Sequence, residues 1–251
     1  MACINDIVRF CDNRLDITKV SDFSGSCNGL QLQNNQSVFK IGSSVDAGIE
    51  PFRKAIAKGV DFLIVHHGLF WTPPVPLTGT NYLKIKLCLD NNLAVYASHL
   101  PLDCHSEIGN NFILASKIGL KPYGSFLPFE GNDIGLLASN TLTRKELNSK
   151  LRQIFPKGIT SMEFGSEKPD KIAILTGSGQ SAVEKVQDSG SDTLVTGALT
   201  QQHFNIAQEL GLNLYACGHY ATETFGVQAL GLEVAEKFKL AYEFIDTDCP
   251  L

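Results

Sequence analysis

Two adjacent histidines, His66 and His67, follow the apolar run Val60-Asp61-Phe62-Leu63-Ile64-Val65. The run reads as a buried β-strand. Successive side chains on a strand point to opposite faces, so two consecutive imidazoles reach one site only if the chain bends there. Gly68, then the breaker Pro73-Pro74, predicts such a bend. A bent His-His pair can hand one nitrogen to each of two neighbouring metal ions.

Two further segments offer partners. His99, Asp103 and His105 lie in Ser98-His99-Leu100-Pro101-Leu102-Asp103-Cys104-His105, after another expected strand. His219 and Glu223 lie four apart where a strand passes into a helix, so they share one helix face. Five of the six histidines fall in these segments, and only His203 lies outside them, on an expected helix. Taken singly, each group has an ordinary structural account: a strand-end His pair, a helix-start His-Glu pair, a turn aspartate. All three stand at expected carboxyl ends of strands, where α/β proteins build their sites. Imidazole plus carboxylate suits divalent Zn, Mn, Fe, Co or Ni. Two ions ~3.5–4 Å apart would acidify a shared water and clamp an attacking oxygen.

The elements that must position these residues alternate. Helices are expected near 3–15, 48–58, 80–91, 109–118, 201–210 and 221–238, with strands near 38–45, 60–65, 92–98, 134–139, 172–175, 192–196, 213–217 and 241–246. Thr143 with Glu146 three residues on is a capping box that opens another helix. The alternation predicts an α/β protein with mixed, largely parallel sheets. Lys121 to Gly131, rich in Gly, Pro and aromatics, is the best candidate for a domain boundary. The expected organisation is two interlinked α/β lobes with the metal site between them. The first spans 1–125, completed by about 218–251, and the second spans 126–217.

Composition narrows the function classes. The 251 residues are 43% apolar and 19% charged, with a net charge of −5, an ordinary globular mix that disfavours nucleic acid or an anionic membrane as partner. Seven cysteines at wide spacings without a CxxC read as reduced thiols, hence a cytoplasmic protein. No apolar run approaches the ~18 residues that span a bilayer.

Three segments together carry a family resemblance. They are His66-His67-Gly68-Leu69-Phe70-Trp71, His99-Leu100-Pro101-Leu102-Asp103-Cys104-His105 with Gly109-Asn110-Asn111, and Gly218-His219-Tyr220-Ala221-Thr222-Glu223 with Gly226. With Asn28-Gly29-Leu30-Gln31 and Thr196-Gly197 they resemble, in order and over nearly the whole chain, the GTP cyclohydrolase I type 2 homologues, also called NIF-three-like proteins. The resemblance implies two divalent ions per chain. His67 and Asp103 would hold one, His66 and His219 the other, and Glu223 would bridge both. His99 and His105 would stand beside them, orienting ligands or carrying protons. It also implies hexameric rings with the sites facing an internal cavity. Many members carry an acid after the Thr-Gly turn, where this chain has Ala198, which puts any role of that acid in doubt.

Other signals have simpler accounts. Gly177-Ser178-Gly179 follows a strand and opens an expected helix, so it resembles a dinucleotide fingerprint, but the next strand ends without an acid, which favours a tight βα turn. Cys104 and Cys217 flank the ligands and are read as small buried hydrophobes before soft ligands or redox thiols. Phe70, Trp71 and Tyr220 pack around the site or stack on a base. Two functions follow. One is a dinuclear metal-dependent hydrolase acting on a small molecule. If the family label holds, that molecule is GTP, with ring opening and release of formate. The other is a non-catalytic metal- and ligand-binding scaffold.

Overall fold

The computed structural model describes residues 1–71 and 75–251. Pro73-Pro74, where the bend was expected to end, lies outside the described residues. The chain forms two compact units. Unit 1 is Met1–Leu102 with Gly226–Asp248, and unit 2 is Asp103–Phe225 with Cys249–Leu251.

Unit 1 carries β1 (Ala2–Cys3), α1 (Ile4–Leu15), β2 (Gly29–Leu32), β3 (Ser37–Val38), β4 (Lys40–Asp46), α2 (Ile49–Ala57), β5 (Phe62–His67), α3 (Gly79–Asp90) and β6 (Ala94–Ala97). The short helix α4 (Leu100–Asp103) leads into unit 2. There follow α5 (Asn110–Ile118), β7 (Lys121–Phe129), β8 (Asn132–Ser139), α6 (Arg144–Ile154), β9 (Thr160–Glu163), β10 (Lys171–Ser178), β11 (Thr193–Ala198), α7 (Gln202–Leu210) and β12 (Asn213–Ala216). Helix α8 (His219–Phe238) starts in unit 2 and continues into unit 1, which β13 (Ala241–Phe244) completes.

The five-stranded sheet of unit 1 runs β13-β4-β5-β6-β2. Its first four strands are parallel, and β2 is antiparallel to β6. A parallel strand covered on both faces has no polar side to alternate with, which is why β5 reads as a continuous apolar run. Phe62, Leu63, Ile64 and Val65 are fully buried. Phe52 and Ala55 of α2 join Leu63, Val65 and Val95 in one core cluster. Burying each such large side chain contributes about 1.5–3 kcal/mol.

The six-stranded sheet of unit 2 runs β7-β8-β10-β11-β12-β9. Strands β10, β11 and β12 are parallel, and the other pairings are antiparallel. The two-residue period of β10 divides its core. Ile172 and Ile174 pack with Leu114, Ile118, Leu147 and Leu151 of α5 and α6, whereas Ala173 and Leu175 pack with Val183 and Ala207. The capping box of α6 is formed as expected: Thr143 Oγ1 accepts from Glu146 N at 3.3 Å, and Glu146 Oε2 accepts from Thr143 N at 2.8 Å. The architecture is mixed α/β.

Some elements differ from expectation. The Gly- and Pro-rich stretch from Lys121, for which no strand was expected, is strand β7, and it forms a hairpin with β8. It stands at the sheet edge, where a proline without an N–H is tolerated, and its register shifts between Pro122 and Gly124. After β10 the chain makes 3-10 turns over Gln180–Lys185 and Gln187–Ser189, where an α-helix was expected. Strands β2 and β9 were not foreseen. Each has only four residues and no clear alternation.

Candidate metal centre

In unit 1, both expected strand-end histidines belong to β5 itself, as its last two residues. His66 is fully buried, and its Nδ1 donates to the Ser98 carbonyl at 2.9 Å. His67 is the register partner of Asp46 on β4, and its Nδ1 donates to Asp46 Oδ1 at 2.8 Å. His99 follows β6, and its Nδ1 donates to Asp22 Oδ1 at 2.8 Å. A carbonyl or carboxylate on Nδ1 fixes the tautomer, so the lone pair of each ring lies on Nε2. The ring centroids are 4.8 Å apart for His66–His67, 4.9 Å for His66–His99 and 5.8 Å for His67–His99. One ligand nitrogen from each of the three lies within 4.8 Å of the others, a set that could hold a metal ion.

The segment around His99 is built by Asp22. Its Oδ1 also accepts from Phe23 N at 2.7 Å, and its Oδ2 accepts from Asn28 Nδ2 at 2.8 Å and Leu100 N at 3.0 Å. Asn28 Oδ1 in turn accepts from His99 N at 2.8 Å. Burial pushes the Asp22 carboxyl up, but these bonds, led by that from His99, outweigh it and hold its pKa at about 2. The Asn28-Gly29-Leu30-Gln31 motif thus has a local purpose, since Gln31 Oε1 also accepts from Leu69 N, just after the His pair. Trp71 sets its ring edge against His99 at 4.9 Å.

In unit 2, His219 and Glu223 open α8 on one face, as their spacing predicts. His219 Nε2 stands 3.1 Å from Glu223 Oε1, and Glu223 is only 3% exposed. The Gly177-Ser178-Gly179 turn serves this pair. Gly177 has φ +67°, and a Cβ built there would clash with Glu223 Oε1 and come 3.3 Å from His219 Nε2. Gly197 is excluded from a side chain likewise, with Thr222 Oγ1 and the His219 Cα under 3 Å from its would-be Cβ. Both glycines make room for the start of α8, so the tight-turn reading of this motif accounts for it.

Asp103 belongs to a buried hydrogen-bond network. Its Oδ1 accepts from Asn110 Nδ2 at 2.7 Å and, at 3.5 Å, from Thr176 Oγ1. Asn111 Oδ1 accepts from Thr176 N at 2.8 Å. His105 Nδ1 accepts from Glu107 N at 3.1 Å and Ile108 N at 3.2 Å, which leaves the proton on Nε2. Asp103, Cys104 and His105 line a groove of about 420 Å³ with Tyr123, Ser125 and Asp133.

Several residues have structural roles. His203 is buried, and its Nδ1 accepts from Thr200 N at 3.0 Å at the start of α7. Cys217 lies in the core cluster under α5 and α6, where burial pushes its thiol up to about 12. Cys104 donates weakly to the Asp133 carbonyl. Asp22, Asp46 and Thr176 were missed by the sequence reading, and Asn110 entered it only within a family motif, with no role assigned. Of the first three, only Asp46 left a trace there, as an acid ending the strand before β5.

The donor set fits divalent metal. Three imidazoles with defined tautomers, a buried glutamate paired with a partly exposed histidine and a hydrogen-bonded aspartate are the ligand types such ions take. Comparison with known proteins agrees with the motifs. Residues 2–250 match the family described as Duf34/NIF3 (NGG1p interacting factor 3), and the chain belongs to that family. A protein of Archaeoglobus fulgidus named GTP cyclohydrolase 1 type 2 homolog is 37% identical over 243 residues, 96% of each chain. One of the same name from Deinococcus radiodurans is 32% identical, covering 96% of this chain and 92% of that one. A solved protein of Thermus thermophilus is 35% identical with a TM-score of 0.89, over 99% of this chain and 100% of that one. The solved protein ybgI, described as of unknown function, is 31% identical with a TM-score of 0.91 over the same shares.

Proposed function

We propose that this chain is a metal-dependent hydrolase in which His66, His67, Asp103, His219 and Glu223 hold two divalent ions. His67 and Asp103 would take one, His66 and His219 the other, and Glu223 both. The observation that carries this reading is the Glu223 carboxylate: it is almost fully buried against an imidazole, with Gly177 kept bare beside it. A buried carboxylate needs a compensating positive charge, and a metal supplies more than one histidine does.

When bound, such ions polarise a substrate oxygen and acidify water. The chain does the rest. Ser98 and Asp46 orient His66 and His67, and Asn110 orients Asp103. His105 carries its proton on Nε2, so it can donate to a leaving group. The groove it lines is within the size range of small-molecule sites, and the exposed Tyr123 offers a stacking face. On the name its relatives bear, the substrate we propose is a purine nucleotide opened with release of formate. From the family resemblance we propose a homo-hexameric ring. From seven free thiols we infer the cytoplasm. Among the described residues no helix is long and apolar enough to cross a membrane.

The test is elemental analysis of the purified protein beside Glu223→Ala, with formate release from GTP as the activity readout. Two ions per chain and turnover in the parent, with at least one ion and all turnover lost in Glu223→Ala, are expected. A Glu223→Ala protein with full activity would sink the reading. Metal uptake with no turnover of nucleotides or phosphoesters would favour the non-catalytic scaffold.

A further inference from the structure

His99 is the imidazole that the two-ion assignment leaves without a ligand role, yet it is held as firmly as the other two. Its ring nitrogen Nδ1 and its backbone N–H are both bonded from the 22–28 segment, by Asp22 and Asn28. The three rings of His66, His67 and His99 converge, with one nitrogen of each within 4.8 Å of the others. Every residue that does this lies in unit 1.

We propose that His66, His67 and His99 form a three-imidazole metal site, complete within unit 1, which takes up one ion without the ligands of unit 2. The proposal shares His66 and His67 with the two-ion reading and rests on it only for the presence of metal. Three nitrogens leave one position of a tetrahedral ion open, to be filled by water or by a later carboxylate. An ion ~2.1 Å from each nitrogen needs them ~3.4 Å apart, a closure that modest rotation about the broad χ2 of histidine supplies. An all-nitrogen set selects Zn, Co, Ni or Cu over Mg, Ca or Mn, which prefer oxygen. Asp22 and Asp46 are positioning residues: each holds one imidazole by Nδ1 and raises the basicity of Nε2. Trp71 and Phe23, with ring centroids 4.9 and 5.8 Å from that of His99, wall the triad with apolar surface.

The test uses metal-free full-length protein, titrated with Co(II) by visible absorption and with Zn(II) against a chromophoric chelator. The double variant His219→Ala/Glu223→Ala should keep one ion, with the absorption of a nitrogen-rich, four-coordinate Co(II), and Mg(II) and Mn(II) should not displace it. Adding His99→Gln, whose amide still donates to Asp22, should weaken that ion about 100-fold or more. Asp22→Asn should weaken it about 10–100-fold. Circular dichroism confirms that each variant is folded. Two ions in the parent but none in the folded double variant would overturn the three-imidazole site and leave the two-ion reading standing. One ion in the parent, lost with His99→Gln, would do the reverse. First-ion affinity unchanged by His99→Gln also overturns the proposal.

Discussion

Gly177 and Glu223 compete for one volume: the Cβ that any other residue would carry at 177 falls deep inside the van der Waals shell of Glu223 Oε1. The backbone there is also left-handed, at φ +67°. Gly177→Ala therefore faces both a steric clash with a buried carboxylate and backbone strain of about 1 kcal/mol or more. The expected outcome is a lower midpoint in thermal unfolding together with fewer ions per chain. Unchanged metal content in a destabilised protein would show that Glu223 moves aside without losing its role.

Asp46 turns His67 by accepting from Nδ1, and it sits beside it by strand register. Asp46→Asn retains the shape and the oxygen acceptor but removes the charge. Metal affinity should fall about 10–100-fold while the unfolding midpoint shifts little. Chelator competition on the folded variant measures this directly.

Acid sensitivity has a component far from the histidines. Asp192 is partly buried, which raises its pKa, but bonds from Ser166 N at 2.7 Å and Thr193 Oγ1 at 2.8 Å outweigh this and hold it below the usual carboxylate range. A carboxyl whose folded pKa is lowered stabilises the fold above its unfolded value of ~3.8 and loses that contribution as pH falls through the folded value. Denaturant titrations from pH 6 down to about 2 should therefore show a smaller acid loss in Asp192→Asn than in the parent. A parallel pair of curves would dissociate Asp192 from acid unfolding.

Helix α6 tests a contribution read directly from sequence. Thr143→Ala removes the acceptor for Glu146 N and half of the reciprocal cap. The loss should be about 1 kcal/mol in urea unfolding with an unchanged m-value.

The legible parts were those with strong local chemistry. The continuous apolar run of β5, the Thr143-Glu146 box and the four-residue spacing of His219 and Glu223 each encode their structure within a few neighbours. What was hidden depends on distant chain. Asp22 is 77 residues from His99, and Thr176 is 73 from Asp103, so no spacing announces either contact. The 3-10 turns after β10 were hidden because helical periodicity over six residues does not distinguish them from a short α-helix. β7 was masked by its own prolines and glycine, which read as a domain boundary unless its place at a sheet margin is known.

That margin has a consequence for the life of the protein outside its chemistry. An outermost strand normally offers a row of backbone donors to any passing chain. In β7, Pro122 and Pro128 delete two of those donors, and the shift near Gly124 breaks the regular row. The residues that disguise the strand in the sequence also make this edge of the unit 2 sheet a poorer template for intermolecular pairing than an unbroken strand.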